Sequence, residues 1–341
     1  MKRWTPEQAR DWYDKLPFMC GFNYVPSSAV NSTEMWQSDT FDPITIEREL
    51  GWAAAIGFNT CRIFLQELVF TTDPDGFLKR LDTFLRLADA QGIATMPVLF
   101  DDCAFAGKEP YPGEQFAPVL GIHNSQWTPC PSSARATDAA DWDTLQEYVT
   151  AIVTRFRDDK RVLVWDVYNE PGNSGLNDLT MPLVEAACGW VRAAAPSQPL
   201  TVGVWNDSST DMNERLIALS DVVSFHNYDT LSVLQRIFER LRKTERPLLC
   251  TEWMARTLGS RFETHLPLLQ AERIGSWHWG LVRGRTQTHM PWGSVEGAPE
   301  PGTWFHDILY ADGTPYDPAE IASIEASLGT SSRMGNGRSK E

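Results

Sequence analysis

The stretch VLVWDVYNEP, residues 162–171, decides the fold. Its first seven residues are apolar almost without interruption, rich in Val and aromatic side chains, with no strict polar alternation. A strand with one wet face alternates, whereas a parallel strand covered on both faces does not. The run ends in Asn169, Glu170 and Pro171, so polar chemistry begins where the strand stops.

Seven runs of similar character flank it. FMCGFNY (from Phe18), FNTCRIF (from Phe58) and IATMPVL (from Ile93) precede it. LTVGVW (from Leu200), DVVSFH (from Asp221), PLLCTE (from Pro247) and IGSWHWG (from Ile274) follow. Helical patterns lie between them. DPITIERELGWAAAIG offers Asp42 as N-cap, Pro43 in the first turn and Gly57 as a stop. DPDGFLKRLDTFLRLADAQG spaces Phe77, Leu81, Phe84, Leu85 and Ala88 at helical intervals and stops at Gly92. DWDTLQEYVTAIVTRFRDD, LTMPLVEAACGWVRAAA and LSVLQRIFERLRK repeat the scheme. Strand–helix alternation eight times over predicts an α/β fold, a (β/α)8 TIM barrel in a single domain, over residues 1–327. Residues 328–341, LGTSSRMGNGRSKE, read as a flexible C-terminal tail.

Two segments break the rhythm. Residues 101–138 follow the third strand and residues 281–316 the eighth; both are long loops on the face where barrels keep their active sites. The net charge of −15 disfavours nucleic acid and anionic membrane as partners, while a neutral substrate meets no such repulsion. MKRWTPEQARDWYDKLPF lacks the apolar core of a secretory signal, and no apolar run approaches a membrane span, so a cytoplasmic location is expected. Cys20, Cys61, Cys188 and Cys250 sit in strand-like or helix-like runs and read as small buried hydrophobes. Cys103 and Cys130 share one loop, where they could meet. His123, His265, His278, His289 and His306 form no spaced ligand set, so neither a catalytic metal nor another cofactor is expected. The oligomeric state is not legible.

The residues at the strand ends carry the functional signal. In order they are Asn23 and Tyr24, Arg62, Asp101 and Asp102, Asn169 and Glu170, Trp205 and Asn206, His226 and Tyr228, Glu252, and Trp277 with Trp279. One such group is ordinary; carboxylates, amides, an arginine and aromatics gathered at one rim are not. Glu170 and Glu252 end strands four and seven, across the barrel mouth from each other, as the two carboxyls that flank a scissile glycosidic bond must.

With Asn169, Glu170 and Pro171 ending strand four and Glu252 ending strand seven, the chain resembles the clan A glycoside hydrolases, most closely family 5. The resemblance runs from GFNYVPS to about Tyr316 and includes Arg62, His226, Tyr228 and the aromatic end of strand eight. It implies Glu170 as acid/base and Glu252 as nucleophile of a retaining β-glycosidase. It further implies Asn169 on the sugar 2-OH, Arg62 holding Glu252 ionised, Tyr228 donating to the nucleophile, and His226 binding substrate or supporting the acid/base. Alternation along strand eight is taken to leave one of Trp277 and Trp279 facing the interior, Trp279 being nearer the strand end. Trp127 and Trp292 are further candidate sugar platforms. Many family members carry a histidine where this sequence reads LFDDCAF; Asp101 or Asp102 either occupies that subsite or opens an Asx turn.

GFNYVPSSAVNSTEMWQ is similar to the opening of the family's intracellular β-mannosidase-type enzymes, which implies exo-action on short oligosaccharides such as mannosyl-β-1,4-N-acetylglucosamine. An endo-β-1,4-glucanase, mannanase or xylanase keeps the same chemistry, and transglycosylation shares its intermediate. A non-catalytic carbohydrate-binding barrel would have no need of both glutamates with Arg62 and Asn169.

Overall fold

The computed structural model describes residues 1–206 and 209–329. Eight parallel strands form one sheet: β1 (Cys20–Tyr24), β2 (Thr60–Phe64), β3 (Ala94–Asp101), β4 (Trp165–Asn169), β5 (Leu200–Thr201), β6 (Val223–Asn227), β7 (Leu248–Trp253) and β8 (Gly275–Trp279). Their order is β5-β4-β3-β2-β1-β8-β7-β6. The bridge between Val204 and Phe225, with Val204 N donating to Ser224 O at 3.0 Å, joins the two ends and closes a TIM barrel. Every strand overlaps a run read from the sequence, with β3, β6 and β7 continuing one or two residues past it; β5 is the shortest, and beyond Thr201 its backbone bonds at Gly203 and Val204.

The helices follow the expected boundaries for local reasons. Asp42 accepts from Thr45 N and caps Pro43–Ile56, and Gly57 ends it in the left-handed conformation at φ 110°. Phe77, Leu81, Phe84, Leu85 and Ala88 of Pro74–Ala90 all turn into the core. The last helix, Pro318–Leu328, takes in the first residue of the expected tail and is followed by Gly329; the rest of that segment lies outside the described residues. No helix among the described residues is long and apolar enough to cross a membrane.

The barrel interior is layered. At its N-terminal end Ala9 and Tyr13 of the helix Pro6–Tyr13 pack with Met19, Met96, Val164, Leu249 and Trp277. Trp277 is wholly buried in that apolar layer, away from the rim. This corrects two expectations: residues two apart in a strand share a face, so Trp277 and Trp279 both point inward, and depth alone separates them. His278, between them, faces outward against Phe22, Phe58 and Phe262. All six cysteines are free thiols, so Cys103 and Cys130 do not pair. Cys130 turns into the core towards Leu99 O, while Cys103 turns to the barrel mouth.

Candidate active site

Arg62 organises the upper layer from the middle of β2. Its Nη1 donates to Glu252 Oε1 and to Asn23 Oδ1, both at 2.8 Å, and its Nη2 to Asn169 Oδ1 at 2.6 Å. Asp166 Oδ2 accepts from Nε at 2.9 Å. Arg62 and Asp166 are both completely buried, and a guanidinium tolerates this because its planar fork satisfies several acceptors at once. Asn23 in turn donates to Thr251 O at 2.8 Å, whereas Tyr24 faces outward and donates to Glu49.

Glu170 and Glu252 meet across the mouth. An oxygen of each and a ring nitrogen of His226 all lie within 4.8 Å of one another. So close an approach of one oxygen from each accords with carboxyls that act by direct attack, ~5–5.5 Å apart, better than with the ~6.5–9.5 Å that leaves room for an intervening water. His226 Nδ1 sits 2.7 Å from Glu170 Oε1 and 3.5 Å from Glu252 Oε2. Its Nε2 has no partner among the described residues, so a proton on Nδ1, donated to Glu170, is the satisfied tautomer. Tyr228 donates to Glu252 Oε2 at 2.7 Å. A bulge makes the arrangement possible: Phe225 pairs with Cys250 but His226 pairs with Glu252, so β7 holds one extra residue there. Bulges re-aim side chains beside active sites in this way.

Burial pushes both carboxyls above the ordinary glutamate range. At Glu170 the Cys103 thiol and the Asn173 amide pull against it. At Glu252 His226 and Arg62 oppose burial, with Tyr228 helping and the neighbouring Glu170 charge reinforcing the rise. Arg62 touches Glu252 directly, and this contact favours the anionic form of that carboxyl. Burial holds His226 down to about 4, which leaves it neutral. Two carboxylates and an imidazole are ligand types a divalent cation takes, but Arg62 already supplies positive charge at Glu252.

The site opens into a cavity of about 890 Å³ lined by both glutamates, Asn169, His226, Tyr228 and Trp279. That volume suits a small ligand. Trp292 is 46% exposed on the cavity wall and meets Tyr228 edge-to-face with centroids 5.0 Å apart. Trp127 also lines the cavity but is buried, packed against Phe64 and Trp279. The two long loops are stitched together: Asn124 N donates to Thr286 O at 2.8 Å and Gly297 N to Leu120 O at 2.8 Å. Gln287 adds three bonds, accepting from Gly121 N and donating to Val119 O and Ile122 O.

The structure thus brings Arg62, Asn169, Glu170, His226, Tyr228, Glu252 and Trp279 together and leaves Trp277 below. Asp101 and Asp102 are turned away from the cavity. Asp101 accepts from Asn169 Nδ2 at 2.8 Å, from Trp127 Nε1 at 2.8 Å and from Cys103 N at 2.9 Å, the last being an Asx turn. Asp102 accepts from Tyr168 OH and Gly172 N. Sequence reasoning missed Cys103, whose Sγ lies 3.1 Å from Glu170 Oε2, and Asn173, which donates to the same oxygen. The available signal was position: both sit just beyond the ends of β3 and β4.

Residues 25–272 match the model of the cellulase family, glycosyl hydrolase family 5. The chain belongs to glycoside hydrolase family 5. As a family 5 glycosidase it hydrolyses O-glycosyl bonds with retention of configuration, and its substrate is a carbohydrate. Among curated proteins no sequence matches it. Solved structures share its fold at low identity. The exo-β-1,4-mannosidase Op5Man5 from Opitutaceae bacterium strain TAV5 aligns with TM-score 0.60 and 17% identity, over 91% of this chain and 58% of that longer one. A GH5_18 protein from Streptomyces cattleya in complex with Manβ1-4GlcNAc aligns with TM-score 0.57 and 14% identity, over 93% and 82%. The family 5 mannosidase from Rhizomucor miehei aligns with TM-score 0.60 and 13% identity, over 91% and 92%.

Proposed function

We propose that this family 5 glycosidase is an exo-acting β-mannosidase on short oligosaccharides such as mannosyl-β-1,4-N-acetylglucosamine, with Glu252 as nucleophile and Glu170 as acid/base. Exo-action is supported by the stitching of the two long loops, from which Ile122, His123, Asn124 and Trp292 reach the cavity lining. A wall confines binding to a chain end and its neighbour. The mannoside assignment is supported by the resemblance of the opening segment to the intracellular mannosidase type. Among the structures that share the fold, two are named mannosidases and a third is in complex with Manβ1-4GlcNAc, in keeping with this reading.

In the proposed cycle Glu252, ionised beside Arg62, attacks the anomeric carbon while Glu170 gives its proton to the departing glycosidic oxygen. Glu170, now anionic, takes a proton from water, whose oxygen attacks the same carbon and releases Glu252. Asn169, held by Arg62 and Asp101, presents its amide to the 2-OH, and Trp279 gives its face to the ring. The test is digestion of a β-1,4-manno-oligosaccharide ladder. Mannose alone should appear at early times; internal fragments would make the enzyme endo-acting, and turnover of β-glucosides without mannosides would remove the mannosidase assignment.

A further inference from the structure

We propose that residues 101–104, DDCA, form a clamp on the end of β4, in which Cys103 is a positioning residue whose thiol donates to Glu170 Oε2 and aims that carboxyl. This inference rests on the reading of Glu170 as acid/base. Four consecutive residues each bond to the segment 168–174. Asp101 accepts from Asn169, Asp102 from Tyr168 and Gly172, Cys103 meets Glu170, and Ala104 N donates to Ser174 Oγ at 2.9 Å. Glu170 needs such support because its backbone is left-handed, with φ at 45°, a conformation a non-glycine residue keeps only when its surroundings impose it.

The chemistry of sulfur suits this place. Burial, together with the charges of Asp101, Glu170 and Glu252, holds the Cys103 thiol well above its ordinary range, so it remains S–H. A thiol is a weak donor and a weak acceptor. It can donate to Glu170 as a carboxylate and accept from it as an acid, which a lysine or arginine cannot do. Asn173 donates to both Cys103 Sγ, at 3.4 Å, and Glu170 Oε2, so the sulfur and the carboxyl are held by one amide. The weakness of the donor also matters: a cation here would keep Glu170 ionised and unable to act as an acid.

The experiment compares Cys103→Ala, Cys103→Ser and Glu170→Gln in one assay, with thermal melts confirming that each is folded. Cys103→Ala should lower kcat/KM for a β-linked disaccharide about tenfold, yet leave kcat/KM for an aryl glycoside with an activated leaving group within about twofold. Loss of a donor to the carboxylate should also move the alkaline limb of the disaccharide profile up by about half a pH unit. Cys103→Ser, which keeps a hydroxyl donor, should restore both. A Cys103→Ala enzyme with wild-type substrate ratio and limb, or a folded Cys103→Ser enzyme as impaired as the alanine variant, overturns the positioning role. Glu170→Gln with undiminished disaccharide turnover would instead overturn the acid/base reading itself.

Discussion

Arg62 Nη1 stands 2.8 Å from Glu252 Oε1, with the arginine wholly buried and the glutamate side chain only 6% exposed. Among the described residues Glu170 has no such cation in contact; its donors are the His226 ring, the Cys103 thiol and the Asn173 amide. One carboxyl therefore sits against a fixed charge and the other against neutral groups. On the proposed reading, this asymmetry would separate an ionised nucleophile from a protonated acid within a few ångströms.

Removal of either carboxyl should reveal its task. Glu170→Ala should slow unactivated disaccharides about 10²–10⁴-fold while sparing the first step on activated aryl glycosides. Azide added to this variant should yield a β-glycosyl azide. Glu252→Ala should be inactive on both substrate types and give an α-glycosyl azide. NMR of the azide products decides, and exchanged anomers would mean exchanged roles.

Arg62→Met should be destabilised by about 3–5 kcal/mol, because Asp166 is left as a buried charge without its partner. Arg62→Lys should recover little of this, since one ammonium cannot reach Asp166, Glu252, Asn23 and Asn169 together. Denaturant melts measure the cost. Equal stability of wild type and Arg62→Met would refute the charge-centred account of this layer.

The pH profile of kcat/KM should be a bell whose two limbs both lie above the range of exposed carboxyls, because burial raises Glu252 and Glu170 alike. In the proposed cycle activity should rise as Glu252 loses its proton and fall as Glu170 loses its own. Tyr228→Phe removes a donor from the Glu252 carboxylate, so the acid limb should move up and the alkaline limb stay. His226, held near 4, should add no third limb. A downward shift of the acid limb in Tyr228→Phe would contradict this assignment.

The two tryptophans of β8 should separate cleanly. Trp279→Ala should raise KM and lower kcat with a modest change in melting temperature, as expected of a side chain lining the cavity. Trp277→Ala should cost about 3–5 kcal/mol by emptying the barrel floor. Its folded fraction should retain substrate affinity. Similar stability losses in both would show that depth does not divide their work.

Gln287→Ala cuts three bonds between the long loops. If these loops form the wall that enforces exo-action, the variant should begin to release disaccharide from a manno-tetraose at early times. Unchanged release of mannose alone, with the wall demonstrably loosened by faster amide exchange in residues 119–122, would detach exo-action from this contact.

Local information determined the barrel. Inward apolar runs, the Asp42 cap and the Gly57 stop each depend on residues within a turn or a strand of one another, so periodicity and capping chemistry expose them in the bare sequence. The strand-end rule likewise put Glu170 and Glu252 on one rim without coordinates. Register was decided only in three dimensions. The extra residue in β7 that sets Glu252 opposite His226 is dictated by packing against both neighbouring strands, and no local pattern encodes it. The same is true of Cys103 and Glu170, which are 67 positions apart, and of Asp101 and Asp102, whose acceptor oxygens are claimed by Tyr168, Asn169, Gly172 and Trp127 before any sugar can reach them. Trp277 and Trp279 share a face by strand geometry, but which of them meets the cavity depends on where the apolar floor ends, and side chains from β3, β7, β8, the residues leading into other strands and the first helix build that floor together.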